Sequence, residues 1–147
     1  MIVVIVGARD RKEKDDFEIV NGLLDSLKAQ YPQLLVVTTG CDRGVGKIIR
    51  NRLLPASPDA APEIEFIEYS VRIYPMNDLA KSKMANIHIS KNATFLELGE
   101  EFHIFEDSRG RGPMEDLRER CEKLGRPYAR YLPSKSEPVL VNWTAPR

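Results

Sequence analysis

The stretch Ile2-Val3-Val4-Ile5-Val6-Gly7-Ala8-Arg9-Asp10 joins an uninterrupted apolar, β-branched run to a glycine turn that carries two charged side chains. A run of this kind is typical of a parallel strand covered on both faces, so the sequence predicts a central strand over 2–6. After the turn, apolar residues recur at three- and four-residue spacing from Phe17 to Tyr31, and Pro32 follows them. This spacing predicts an amphipathic helix that Pro32 ends, and the pair forms a first β-turn-α unit.

The same alternation continues along the chain. The pattern predicts further strands at 34–38, 64–67, 102–105 and 127–131, and helices at 45–54, at 77–98 in two pieces broken near 89–90, and at 113–124. Alternating elements of this kind favour an α/β, three-layer Rossmann-like domain with a mostly parallel sheet of about five strands and helices on both faces. We expect one domain over residues 1–132, followed by a C-terminal tail over 133–147 that wraps the domain or lies at an interface.

Composition narrows the class of protein. The chain has 147 residues, with 22 basic and 22 acidic side chains, so bulk charge does not attract polyanions. No apolar run approaches the roughly 20 residues that span a bilayer, and no signal peptide opens the chain, which favours a cytoplasmic protein without a membrane partner. Two distant cysteines and two histidines predict neither a disulfide framework nor a metal site, and no cofactor is expected. His103, within a buried-type strand, is expected to be a core residue with satisfied hydrogen bonds.

Three glycine-bearing turns follow predicted strands and precede predicted helices. Glycine lets the backbone approach a ligand closely, and a helix N-terminus offers unpaired N–H groups to phosphate. If the strands lie side by side, the turns converge on one crevice at the carboxyl edge of the sheet. The candidate ligand-binding residues are Gly7, Arg9 and Asp10 in the first turn, Gly40, Asp42, Arg43 and Gly44 in the second, Arg109, Gly110, Arg111 and Gly112 in the third, and Lys91 and Asn92 in a polar break between helices.

Each turn also has a purely structural interpretation. Gly7 can form a tight turn whose charged side chains are solvated, and Arg9 and Asp10 can pair with each other. The second turn can serve close packing of helix on strand. The second turn lacks the terminal Gly-Lys-Ser/Thr of a P-loop, and Gly7 does not begin a G-x-G-x-x-G fingerprint. Glu115 and Asp116 are candidate catalytic carboxylates, acting as a general base or stabilising an oxocarbenium-like centre, or they are ordinary partners of the helix dipole.

Taken in order, these motifs resemble the SLOG superfamily, which groups LOG-type phosphoribohydrolases, the DprA/Smf fold and small bacterial and phage YspA-like domains. Val6-Gly7-Ala8-Arg9-Asp10 is similar to the opening Gly-x-Arg-Asp of the YspA-like branch, and Thr38 to Gly44 to its Thr-Gly-Gly-Ala-x-Gly turn. Ser90-Lys91-Asn92 is similar to its Ile-Arg-Asn segment. The stretch from Arg109 to Asp116 is similar to the phosphate turn Gly-Gly-x-Gly-Thr-x-x-(Glu or Met).

The resemblance implies a domain that binds a nucleotide or nucleotide-derived small molecule, as a sensor or accessory factor, and a homodimer. An alternative is a LOG-like hydrolase that cleaves the N-glycosidic bond of nucleoside 5′-monophosphates. In the third turn, however, Pro113 replaces the threonine of those enzymes and Asp116 stands where their catalytic glutamate is expected, so binding is favoured over hydrolysis. A second alternative is a DprA-like single-stranded nucleic-acid or protein-interaction module, which the balanced charge disfavours.

Overall fold

A computed structural model describes residues 1–39, 43–57, 59–69, 91–107 and 112–143. The elements in chain order are β1 (Ile2–Gly7), α1 (Glu13–Gln30), β2 (Leu35–Thr39), α2 (Gly44–Leu53), β3 (Glu65–Tyr69), α3 (the helical residues 91–98), β4 (Glu101–Phe105), α4 (Pro113–Lys123), β5 (Tyr128–Tyr131) and β6 (Val139–Val141). The predicted alternation of strands and helices is therefore confirmed. The part of the predicted helical region at 77–90 lies outside the described residues.

The strands form one mostly parallel sheet in the order β3-β2-β1-β4-β5-β6. β1 lies at the centre, between β2 and β4, as its continuous apolar run predicts. The sheet has six strands rather than about five, because the C-terminal tail contributes β6, which pairs antiparallel with β5. β6 contains only three residues, too few for alternation of apolar and polar positions to predict a strand.

Alternate residues of β1 pack into two different apolar clusters. Val3 and Ile5 join buried side chains of α1 and α2, whereas Val4 and Val6 join buried side chains of α4 and of residues 95–96 in α3. Successive side chains of a strand point to opposite faces of the sheet, so the two clusters lie on opposite faces of β1. This double burial explains why β1 has no polar position between residues 2 and 6.

Helix α1 begins four residues before the first predicted apolar position. Glu13, Asp15 and Asp16 occupy its first turn, and acidic side chains there interact favourably with the positive end of the helix dipole. The helix ends at Gln30, where Tyr31 is extended, since the residue before a proline is disfavoured in the helical conformation. The predicted C-terminal end of α1 is thus confirmed to within one residue. The N-terminal end lies at the acidic residues, before the apolar spacing begins.

The described residues include no helix that is long and apolar enough to cross a membrane. Across the same ranges, no group of three or more histidine, cysteine or acidic side chains is arranged to hold a metal ion. Cys121 lies buried in α4, and burial raises the pKa of its thiol to about 12. Its thiol therefore stays protonated at neutral pH, as expected of a structural rather than a reactive cysteine.

Candidate functional site

The carboxyl edge of the sheet opens between β1 and β4. β1 leads through α1 to β2 on one side of the sheet's centre, and β4 leads through α4 to β5 on the other side. Neighbouring strands whose connections run in opposite directions leave space for a crevice outside their carboxyl ends, the usual position of ligands in open α/β sheets. Gly7 at the end of β1 lies opposite Phe105 at the end of β4, and the Ala8 N–H donates to the Phe105 carbonyl at 2.9 Å.

The first turn packs tightly against helix α2. A Cβ atom on Gly7 would lie 2.7 Å from Val45 Cγ2 and 3.1 Å from Phe105 Cβ, so only glycine fits between them. Close packing of helix on strand is therefore a sufficient reason for glycine at this position. Arg9 and Asp10, the other predicted residues of this turn, are both exposed at the carboxyl edge.

In the second turn, Gly40 and Asp42 lie outside the described residues. Arg43 is exposed and occupies the N-cap of α2, with no side-chain cap hydrogen bond, and no acidic residue stands in the first turn of that helix. Gly44 has φ of +64°, and a Cβ there would lie 3.4 Å from the Ala8 carbonyl oxygen. The first and second turns therefore lie in contact, and the positive end of α2 faces the carboxyl edge without a carboxylate of its own first turn.

In the third turn, Arg109, Gly110 and Arg111 lie outside the described residues. Gly112 is the N-cap of α4 with φ of +88° and ψ of −151°, a conformation that glycine adopts and side-chain-bearing residues avoid. Pro113 occupies the first position of the helix, as predicted, where its missing N–H costs nothing. The backbone conformation expected of a glycine turn is therefore present at its last glycine.

The two candidate catalytic carboxylates are engaged by neighbouring side chains. Asp116 Oδ2 accepts hydrogen bonds from Arg120 Nε at 2.9 Å and from Asn92 Nδ2 at 3.0 Å. Glu115 lies 3.9 Å from Arg118 Nη2 and is about one third exposed.

Lys91 and Asn92, which were predicted to lie in a polar break between helices, are instead helical residues of α3 at the same edge of the sheet. Lys91 Nζ donates to the carbonyl of Tyr69, the last residue of β3, at 2.7 Å. Asn92 is 1% exposed, and its amide also donates to the Pro113 carbonyl at 2.8 Å. These residues therefore join α3 both to the end of β3 and to the start of α4.

Arg11, which the motif analysis missed, is the most extensively bonded side chain of the first turn. Its guanidinium binds the Asp16 carboxylate through two hydrogen bonds of 2.9 and 2.7 Å, and both side chains are almost fully buried. Nη1 donates to the carbonyls of Glu106 and Tyr131, and the group lies 5.3 Å from the centre of the Phe105 ring. These partners are 95 and 120 residues away, so no local pattern indicates them.

Glu106 is a second residue that sequence reasoning missed. It follows β4 directly, is 3% exposed, and accepts hydrogen bonds from Arg118 Nε at 3.0 Å and from Arg130 Nε at 2.8 Å. These pairs tie the end of β4 to α4 and to β5. A buried carboxylate held by two arginines keeps the entrance to the third turn in one position.

The described clefts differ in charge and place. A cleft of about 200 Å³ at the carboxyl edge is lined by four aspartates, by the basic residues Arg11 and Lys12, and by the loop at 133–134. The aspartates outnumber the basic residues, which disfavours phosphate in this cleft. A larger cleft of about 650 Å³ lies at the opposite edge, where Met1, Gln33 and Glu65 mark the amino ends of β1, β2 and β3. No described residue of the glycine turns lines this larger cleft.

His103 is buried in β4, and both of its ring nitrogens have partners. Nε2 lies 2.8 Å from Glu101 Oε2, and Nδ1 lies 2.8 Å from the Tyr131 hydroxyl. The prediction of a core histidine with satisfied hydrogen bonds is confirmed.

The described parts of the three turns therefore lie at one edge of the sheet. Gly7 and Gly44 are joined through α2, Gly112 begins α4, and Asn92 links α3 to that helix. The residues brought together supply backbone N–H groups and exposed basic side chains rather than a nucleophile paired with a base. Comparison of the chain with protein-family models, with curated proteins and with solved structures finds no match.

Proposed function

We propose that the carboxyl edge between β1 and β4 binds a nucleotide or nucleotide-derived ligand. The observation that carries this proposal is the strand order, because β1 and β4 are neighbours whose connections diverge, which opens a crevice at their carboxyl ends. Two glycines with positive φ, Gly44 and Gly112, stand at the starts of the helices that flank it. Backbone donors and an adaptable loop conformation are what recognition of a phosphate-bearing ligand requires.

Within that crevice we assign the phosphate to the N-terminus of α2. This helix has no acidic residue in its first turn, and exposed Arg43 stands at its N-cap. The first turn of α4, by contrast, carries Glu115 and Asp116, whose charges repel an anion, and the partly exposed Glu115 can accept hydrogen bonds from hydroxyl groups. The two helices together suit a ligand with a phosphate at one end and sugar hydroxyls near the other.

Binding rather than hydrolysis is the function we propose. A carboxylate that acts on a substrate must be free to contact it. Asp116 Oδ2 instead accepts hydrogen bonds from Arg120 Nε and from the Asn92 amide. This side chain has the partners of a structural residue.

We also propose a more specific description of the fold. Division of the helices between the two apolar clusters supports a three-layer, Rossmann-like arrangement, which is also the fold that a SLOG domain would have. Membership of the SLOG superfamily stays a prediction from the motifs.

The test is titration calorimetry with AMP, ADP-ribose and inorganic phosphate on the wild-type protein and on Arg43→Gln. We expect Arg43→Gln to weaken binding of AMP about tenfold, the effect of losing one charge-assisted hydrogen bond, without lowering the melting temperature. Stability should hold because the Arg43 side chain makes no cap hydrogen bond.

Lys28→Gln is the matched control, because it removes one positive charge at the opposite edge of the sheet, where Lys28 lines the larger cleft and is 54% exposed. Its affinity for AMP should equal that of the wild type. Equal losses in both variants would mean that net charge, not the α2 terminus, governs binding. Absence of binding by all three compounds at millimolar concentration would contradict the proposed function.

A further inference from the structure

We propose that Asn92 is a positioning residue that fixes the start of α4 against α3, rather than a ligand contact; this inference rests on the proposed function. The Asn92 side chain is buried, with 1% exposure. Its amide nitrogen donates two hydrogen bonds, and both acceptors belong to α4. An amide nitrogen has two hydrogens, and two acceptors use them. A ligand would therefore find this nitrogen already engaged.

The two acceptors define one face of the first turn of α4. Pro113 and Asp116 are three residues apart, and residues at that spacing lie on the same side of a helix. One amide therefore holds a backbone carbonyl at 2.8 Å and a side-chain carboxylate at 3.0 Å along that face. Rotation of α4 about its axis would break one of the two bonds, so the pair sets the rotation as well as the distance.

This position matters because the proposed site uses the start of α4. Gly112, immediately before Pro113, adopts a backbone conformation that other residues avoid, and the N–H groups of Met114 and Glu115 have no partner within the helix. Arg120 also holds Asp116, which keeps the carboxylate aligned for Asn92. Asn92 therefore holds the backbone N–H groups at the start of α4 in place without contacting the ligand itself. Its replacement should weaken binding because α4 is held less firmly.

Hydrogen–deuterium exchange of the ligand-free protein tests this directly. Asn92→Leu keeps the approximate size of the side chain and removes both donors. We expect exchange at the first hydrogen-bonded amides of α4, those of Asp116 and Leu117, to become about tenfold faster, with β1 and α1 unchanged. In titrations with AMP the same variant should raise the dissociation constant by a similar factor.

Asp116→Asn is the conservative control, since its amide oxygen still accepts from Asn92, and α4 exchange should stay at the wild-type rate. Should Asn92→Leu fail to fold, Asp116→Ala carries the test, because that side chain is 29% exposed and its removal deletes one of the two acceptors. We expect about threefold faster exchange in α4 for this variant.

If Asn92→Leu leaves the exchange rates in α4 unchanged, the inference is wrong, whatever the effect on binding. If exchange rises equally throughout the chain, the inference is also wrong, because the variant is then generally destabilised. Weaker AMP binding with unchanged exchange would identify Asn92 as a direct contact. If the wild-type protein binds none of the probes, the proposed function fails and Asn92 has no ligand to position, but the exchange data still decide whether it fixes α4.

Discussion

Replacement of Arg11 by alanine is expected to lower the free energy of unfolding by about 3–5 kcal/mol, the cost of removing one partner of a buried ion pair. Asp16 would be left as an unpaired buried carboxylate, since the exposed fractions of the two side chains are 6% and 1%. The carbonyls of Glu106 and Tyr131 would lose a donor in the same step. Urea denaturation followed by circular dichroism measures this change.

The matched control is Lys47→Ala, which removes an ion pair with Glu13 whose partners are 44% and 40% exposed at a distance of 3.5 Å. Exposed pairs contribute little, so we expect a change within about 0.5 kcal/mol. Similar, small losses in both variants would contradict the view that Arg11 joins the first turn to the ends of β4 and β5.

A methyl group at Gly7 is expected to destabilise the protein by about 1–3 kcal/mol, the usual cost of overpacking a core. The Cβ of Gly7→Ala would lie 2.7 Å from Val45 Cγ2, and Val45 is itself 1% exposed in the first turn of α2. The helix would have to move away from the sheet to accept it. Chemical denaturation of the variant, with its slope compared with that of the wild type, measures the cost.

A double-mutant cycle with Val45→Ala decides whether packing is the cause. Removing the two methyl groups of Val45 creates room for the new Cβ, so Gly7→Ala should cost about 1 kcal/mol less in the Val45→Ala background. Equal costs in both backgrounds would exclude this packing explanation. Weakened AMP binding by Gly7→Ala at unchanged stability would instead mean that glycine serves close approach of the ligand.

Much of the fold was predictable because its strongest signals are local. The run from Ile2 to Val6 predicts a central strand, since only a strand buried on both faces needs five apolar residues in succession. Pro32 and Pro113 mark one helix end and one helix start for steric reasons that act within a few residues. β6 was not predictable, because three residues paired with β5 receive their conformation from the sheet rather than from their own pattern.

The candidate site was predictable in its backbone and not in its side-chain contacts. Glycine at 7, 44 and 112 follows from turn geometry and close packing, which leave a clear mark in the sequence. Arg11, by contrast, has carbonyl partners that only the assembled sheet brings near. Asn92 was predicted as a ligand contact, whereas its amide bonds two atoms of α4, a role that appears only once α3 and α4 are packed.

Binding of an anionic nucleotide at the carboxyl edge beside α2 can be measured residue by residue in a two-dimensional ¹H–¹⁵N NMR titration with AMP. We expect the largest saturable shift changes at the amides of Gly44 and Val45, with smaller changes at Met114. The amides of Gln33 and Glu63, at the opposite edge, should remain unchanged. Shift changes confined to that opposite edge, or none at millimolar AMP, would contradict the claim.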